Sequence, residues 1–164
     1  MKKILIINTG GTFNKVYNPL TGNLDIDKQG EAIKSIAKAW LTKFKIKNIL
    51  GKDSLEMTKK DRKLIIKTIK ETEIKDIIIV HGTDTMHKTA KRIAKEKIDK
   101  NIILTGSMVP FSVNPIESTS NLCSAYGFIQ DFYKGGVCIS MNGIIKDYKK
   151  VFKNKEKGYF EESK

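Results

Sequence analysis

Little in this chain suggests metal or redox chemistry. Its 164 residues include only two cysteines and two histidines. Cys123 and Cys138 have neither a Cys-x-x-Cys spacing nor a histidine nearby in sequence, so both read as buried free thiols. His81 and His87 stand six positions apart, which is not a one-face helical spacing, and no glutamate lies between them as in His-Glu-x-x-His. His81 therefore reads as a packed strand-end residue, and neither a metal nor any other cofactor is expected. Apolar runs are short, far below the roughly 20 residues that span a bilayer, and Met1-Lys2-Lys3 leads straight into a strand-like segment. A cytoplasmic protein with no membrane partner is expected. Arginine is scarce as well. Of 31 basic residues only Arg62 and Arg92 are arginine, whereas specific phosphate and base recognition favours arginine's planar fork. The formal charge of +13 comes from lysines scattered among isoleucines and asparagines, so it reads as solvated surface, and no nucleic acid partner is expected. Asp131 and Glu161-Glu162 lack the paired spacing of glycosidase carboxylates. The Gly-x-x-x-x-Gly-Lys-Ser/Thr and Gly-x-Gly-x-x-Gly phosphate loops are absent too, which disfavours nucleotide binding.

What is present is an alternation of strand-like and helix-like segments. An apolar content of 40% over this length supports one domain with a substantial core. Strands are predicted at residues 3 to 8, 77 to 81, 101 to 105 and 136 to 141, with a short strand or bend near 46 to 50. Helices are predicted from Glu31 to about Leu41, from about Thr58, from Met86 to Lys97 and from Glu117 to Phe132. Thr58 and Asp61 have capping-box spacing, with Asp in place of Glu. Between Thr9 and Gly30 no period is sustained, so this stretch reads as a long loop of the kind used as a lid. The pattern predicts an α/β fold, a three-layer domain with a mainly parallel sheet.

In such sheets ligands bind beyond the carboxyl ends of the strands. Two Gly-flanked threonines are placed there: Thr12, in Asn8-Thr9-Gly10-Gly11-Thr12 after the apolar run Ile4 to Ile7, and Thr83, in His81-Gly82-Thr83-Asp84-Thr85 after Ile77 to Val80. A threonine hydroxyl is a poor nucleophile without a neighbouring base. The carboxylate of Asp84 and a lysine from the tail would supply that environment, which suggests acyl transfer. Helix capping by Thr83 and Thr85 alone is the bland alternative.

Thr9-Gly10-Gly11-Thr12, Asp53-Ser54-x-Glu56-Met57, His81-Gly82-Thr83-Asp84-Thr85-Met86 and Thr105-Gly106-Ser107-Met108-Val109-Pro110 occur in an order and spacing that resemble the bacterial-type L-asparaginase family. The likeness is to that family's N-terminal catalytic domain, and in particular to its short, single-domain members. On that resemblance residues 1 to 164 are expected to form one complete asparaginase-like domain with no C-terminal domain. The resemblance implies that Thr12 attacks the side-chain amide of L-asparagine to give an acyl-enzyme, ammonia leaves, and water releases aspartate. L-Glutamine would be a slower substrate. Thr83, Asp84 and Lys153 match the family's second catalytic group, and Tyr17 stands where a loop tyrosine takes the nucleophile's proton. Gly11, Ser54, Leu55, Asp84, Ser107 and Met108 match substrate-binding positions. Ser54 would meet the substrate carboxylate and Asp84 its ammonium, while backbone groups of Ser107 and Met108 would form an oxyanion hole.

Leu55 stands where many members carry a polar residue, which bears on recognition of the amino group. With no covering domain the site must be closed by other means. A homodimer or homotetramer is expected, with an interface near the site that includes Phe111 or the helix after Glu117. The competing readings are a non-catalytic amino-acid-binding module with the same pocket and a basic, polyanion-binding protein on a reused fold.

Overall fold

The continuous isoleucine runs become the centre of a six-stranded sheet, because parallel strands covered on both faces need apolar side chains on both. In the computed structural model, which describes residues 2–132 and 134–163, the strands are β1 (Ile4–Gly10), β4 (Lys45–Lys52), β5 (Asp76–Val80), β6 (Asn101–Thr105), β7 (Gly136–Met141) and β8 (Ile144–Asp147). They lie in the order β4-β1-β5-β6-β7-β8. All neighbours are parallel except β7 and β8. That last pair is a hairpin through Asn142 (φ 50) and Gly143 (φ 80), two left-handed residues in succession, which matches the twist of the strands they join.

Alternation along the strands feeds two cores. Leu5, Ile7, Ile77, Ile79, Ile102 and Leu104 face α2 (Lys59–Glu71) and α3 (Met86–Lys95), where Ile65, Ile69, Met86, Ala90 and Ile93 meet them. Ile4, Ile6, Ile78, Val80 and Ile103 face α1 (Glu31–Ala39) and α4 (Pro115–Asp131), against Ile33, Ile36, Leu122, Ala125 and Ile129. Helices on both faces of the sheet make the three layers that the sequence pattern predicts. Cys138 is a buried free thiol and Cys123 a half-buried one. Burial pushes the Cys138 thiol up to about 11. Among the described residues no helix is long and apolar enough to cross a membrane.

Three expectations are corrected. The stretch from Thr9 to Gly30 is not a structureless loop: it contains a short helical turn at Thr12–Asn14 and the antiparallel pair β2 (Lys15–Tyr17) and β3 (Leu24–Ile26). Those strands are three residues long and largely exposed, so they have no apolar alternation to read. Thr9 belongs to β1 rather than to a turn, and its hydroxyl donates to the Val80 carbonyl at 2.8 Å, joining β1 to β5. Phe111 is not an exposed apolar contact. It is partly buried against the core containing Phe13, and its amide donates to the Phe13 carbonyl. The exposed apolar groups of that region are Val109, Val113 and Ile116. A further hairpin that the sequence did not reveal, β9 (Val151–Asn154) with β10 (Tyr159–Glu162), lies beside β8.

The Thr58/Asp61 capping box forms. Thr58 accepts from the Asp61 amide, and Asp61 accepts from the Thr58 amide at 2.8 Å and pairs with Lys52 at 2.9 Å. Thr58→Ala is expected to lower stability by about 1 kcal/mol, read as a lower urea midpoint with an unchanged denaturant slope.

Candidate active site

β1 is the strand at which the chain reverses its order of travel, since β4 lies on one side of it and β5 on the other. The turns leaving β1 and β5 therefore diverge and open a crevice at their carboxyl ends. Two glycines let these turns touch. A Cβ on Gly11 (φ 78) would lie 2.5 Å from the Cα and N of Gly82, and a Cβ on Gly82 would lie 2.7 Å from that of Ser54. With no side chains between them, the turns after β1, β4 and β5 meet backbone to backbone. Thr12 begins the helical turn after Gly11, Ser54 begins one after Asp53, and Thr83 begins one after Gly82.

The lysine comes from the opposite edge of the sheet. In β9 and β10, Phe160 pairs directly with Lys153, and Val151 is two positions before it, so all three share one face of the hairpin. Val151 and Phe160 are buried in the first core. Lys153 is thereby directed inward, and its Nζ donates to Thr83 Oγ1 at 2.9 Å and to Asp84 Oδ1 at 2.7 Å. Its side chain is 13% exposed, whereas Lys149, Lys150 and Lys155 are exposed. The hairpin is held by a relay from α4: Asn121 donates to the Gly106 carbonyl and accepts from the Asn142 amide, and Asn142 accepts from the Phe160 amide at 2.9 Å. Because Thr83 Oγ1 accepts from Lys153, its own proton is free to point into the crevice.

Ser54 is buried, and its hydroxyl accepts from the Thr85 amide at 3.2 Å. Thr85 does not cap α3 with its side chain but donates to the Ser54 carbonyl at 2.7 Å. The adjacent Asp53 accepts from the Leu55 amide and pairs with Lys15 on β2 at 3.0 Å, which ties the β2–β3 hairpin to this turn. Burial would raise the Asp53 carboxyl. The Leu55 amide, Lys15 and the charge of Lys153 together outweigh that and hold it below the usual carboxylate range. A cavity of about 640 Å³ lies between the hairpin and this turn, lined by Lys15, Asp25, Asp53, Leu55 and Glu56 among others. Another, of about 620 Å³, lies at the opposite, amino-terminal end of β1 and β4 and is remote from these groups.

The structure thus brings Thr83, Asp84 and Lys153 together, and it places Gly11, Thr12 and Ser54 on turns that touch theirs. Leu55 is exposed at the rim and Tyr17 is exposed at the end of β2. Among the described residues Tyr17 makes no hydrogen bond into the cluster. The Ser107 hydroxyl donates to the Val109 carbonyl. The Met108 and Val109 amides both donate to the Glu117 carboxylate, at 3.0 to 3.1 Å. The Met108 amide is therefore engaged by Glu117 in this structure. Sequence reasoning missed Lys15, Asn121 and Glu117. It also missed Arg62, whose partners Thr85 and Thr89 lie 23 and 27 positions away. Among the described residues no group of His, Cys, Asp or Glu is placed to hold a metal ion.

A chain with these turns in this arrangement belongs to the asparaginase family. The family description "Asparaginase, N-terminal" matches residues 3–159. The chain is 30% identical over 134 residues to L-asparaginase 1 of Escherichia coli strain K12, covering 76% of this chain and 39% of that protein. It is 27% identical over 154 residues to the glutaminase-asparaginase of Acinetobacter glutaminasificans, covering 87% and 46%. In fold it is similar to the thermostable L-asparaginase from Thermococcus kodakarensis, with a TM-score of 0.83 at 24% identity over 99% of this chain and 51% of that one. The "Probable Cytoplasmic L-asparaginase" from Campylobacter jejuni superposes with a TM-score of 0.79 at 27% identity, over 99% and 53%. The chain spans about half or less of the length of these proteins.

His81, at the end of β5, is fully buried, and that burial pushes its imidazole down to about 4 against the accepting Gly82 carbonyl, with Arg62 adding to the effect. The folded chain keeps His81 neutral where the unfolded chain protonates it near 6.5. The unfolded state therefore binds more protons between those values, so this contribution to stability is complete above about pH 6.5 and is lost as the pH falls toward 4. His81→Gln is expected to flatten that part of the stability profile, measured by urea unfolding at pH 7 and pH 5. An unchanged difference between the two pH values would show that His81 does not cause it.

Proposed function

We propose that the chain hydrolyses the side-chain amide of L-asparagine to L-aspartate and ammonia, with L-glutamine as a slower substrate and Thr12 as the nucleophile. The contact of Lys153 with both Thr83 and Asp84, on a turn pressed against the one that carries Thr12, is the observation on which this rests. Lys153, held by its ion pair with Asp84, polarises the Thr83 hydroxyl to which it also donates. The names of the relatives point to the same chemistry in those proteins.

In this reading the Thr12 hydroxyl oxygen adds to the amide carbon and gives up its proton, with Tyr17 as first acceptor once the hairpin closes over substrate. The carbon–nitrogen bond breaks and ammonia leaves with that proton. A Thr12 ester remains. Water, oriented by the free proton side of Thr83 and by Lys153, adds to the ester, and aspartate departs as the threonine hydroxyl is restored. Ser54 and Asp84 bind the substrate's carboxylate and ammonium, Gly11 and Ser107 line the amide, and Leu55 forms an apolar rim. The reaction needs no cofactor. A homodimer or homotetramer completes the closure of the crevice, with Val113 and Ile116 rather than Phe111 as its apolar contact. We place the protein in the cytoplasm, with residues 1 to 164 forming a catalytic domain.

Thr12→Ala is expected to reduce ammonia release from asparagine on the order of a million-fold with an unchanged melting temperature. Activity above about a tenth of the parent's would remove Thr12 from the role. Failure of a reactive asparagine analogue to acylate Thr12, with asparagine still bound, would favour the non-catalytic binding module instead. Lys153→Met is expected to lower kcat far more than Lys149→Met, Lys150→Met or Lys155→Met. Equal effects of all four would place the base elsewhere.

A further inference from the structure

Arg62 lies on α2, away from the crevice, yet each nitrogen of its guanidinium is directed. Nη1 donates to the Met57 and Thr58 carbonyls at 2.7 and 3.3 Å, Nη2 to Thr85 Oγ1 at 2.9 Å, and Nε to Thr89 Oγ1 at 3.1 Å. Arginine has no acceptor atom, so both threonine hydroxyls must accept from it and send their own protons elsewhere. For Thr85 the partner is the Ser54 carbonyl, at 2.7 Å. For Thr89 it is His81 Nε2, at 2.8 Å. An Nε2 that accepts leaves the imidazole proton on Nδ1, which faces the Gly82 carbonyl at 2.7 Å and donates to it. One cation thus sets the direction of two hydrogen-bond chains, and they end on either side of Thr83 and Asp84: at Gly82 before them and at Thr85 and Ser54 after and beside them.

We propose that Arg62 is a positioning residue that fixes the Ser54 turn through Thr85 and the Thr83–Asp84 turn through Thr89 and the Nδ1–H form of His81. The kinetic part of this rests on the amidohydrolase reading given above; the histidine part does not. Lysine would be a poor substitute, since a single ammonium on a flexible stem does not reproduce a fork aimed at four oxygens on three segments. An apolar side chain would leave both hydroxyls without their donor. The Gly82 carbonyl can only accept, so the imidazole proton stays on Nδ1; what is lost is the orientation of the Thr89 hydroxyl, and with it the donor that holds Nε2. The ring is then held from one side only, and Gly82, and with it Thr83, is free to shift.

The test uses the full chain, labelled with 15N. The chain has only two histidines, so a His87→Gln background leaves a single imidazole, whose long-range proton–nitrogen correlations report the tautomer directly. The parent is expected to show Nδ1–H with an Nε2 resonance shifted by its hydrogen bond, and Arg62→Met and Thr89→Val are expected to move that Nε2 resonance toward the value of an unbonded ring nitrogen. In ammonia release from asparagine, Arg62→Met is expected to lose kcat/KM on the order of a hundredfold, the loss that small misplacements cause. Thr85→Val should reproduce the rise in KM, and Thr89→Val the fall in kcat. Arg62→Met/Thr85→Val should be no worse in KM than Arg62→Met alone, and Arg62→Lys should not restore either parameter. A folded Arg62→Met with a parental Nε2 resonance and parental kinetics overturns the proposal, as does full rescue by lysine. If Arg62→Met does not fold, the two threonine variants decide, and a parental Nε2 resonance in Thr89→Val with a parental KM in Thr85→Val overturns it. If the parent hydrolyses no amide, the functional reading fails separately, and the Nε2 comparison still decides the role of Arg62.

Discussion

Everything at the carboxyl edge of the sheet depends on a contact made without side chains. Gly11, Gly82 and Ser54 stand so close that a single added methyl at either glycine would meet backbone or Cβ atoms at 2.5 to 2.7 Å. Three turns that follow three different strands are thereby locked into one surface, and hydroxyls on adjacent turns face a common space. Ordinary side-chain packing between the turns would hold them several ångströms further apart, beyond the span of one small substrate. The constraint also explains why the polar residues here are so thoroughly paired. Ser54, Thr83, Thr85 and His81 are buried, and a buried polar group without a partner is costly.

The electrostatics follow from that geometry. Lys153 enters a nearly closed position beside Asp84 and within range of Asp53, which also pairs with Lys15, so the crevice balances two cations against two carboxylates in a protein whose net charge is strongly positive. The rest of that charge lies in lysines outside the crevice and is screened by solvent. The buried hydroxyls are organised differently, by directional donors rather than by net charge, and Arg62 and Glu117 play matching parts: one directs hydroxyls, the other gathers the amides of Met108 and Val109.

Much of this was legible in the amino-acid order, for identifiable reasons. Unbroken isoleucine runs can only be strands covered on both faces, so β1, β5, β6 and β7 declare themselves. The Thr58 and Asp61 spacing marks the start of α2 because the cap is a local interaction. Lys153 was reachable only through the family resemblance, since the lysine-rich stretch around it carries no local signal of an inward-facing strand. The β2–β3 hairpin was hidden, since strands of three exposed residues carry no alternation. Phe111 was misread because an apolar residue between prolines looks exposed until Phe13 is known to lie beneath it. Arg62 could not be interpreted from sequence at all: its hydroxyl partners are 23 and 27 positions away, and only the packing of α2 against α3 brings them together.

The hairpin that carries Lys153 has a consequence for how the protein is made. By the time Met141 has left the ribosome, all five parallel strands and all four helices exist, together with both threonines, Ser54 and Asp84. The chain up to that point contains most of both cores and can begin to collapse as it emerges, amino-terminal elements first. The ammonium that completes the cluster arrives later, on a segment that docks only when Asn121 of α4 has received the turn at Asn142 and that turn has received Phe160. Folding and competence are therefore separate events in the life of a single molecule: the scaffold is assembled first, and a hairpin synthesised after it brings the charge to the crevice.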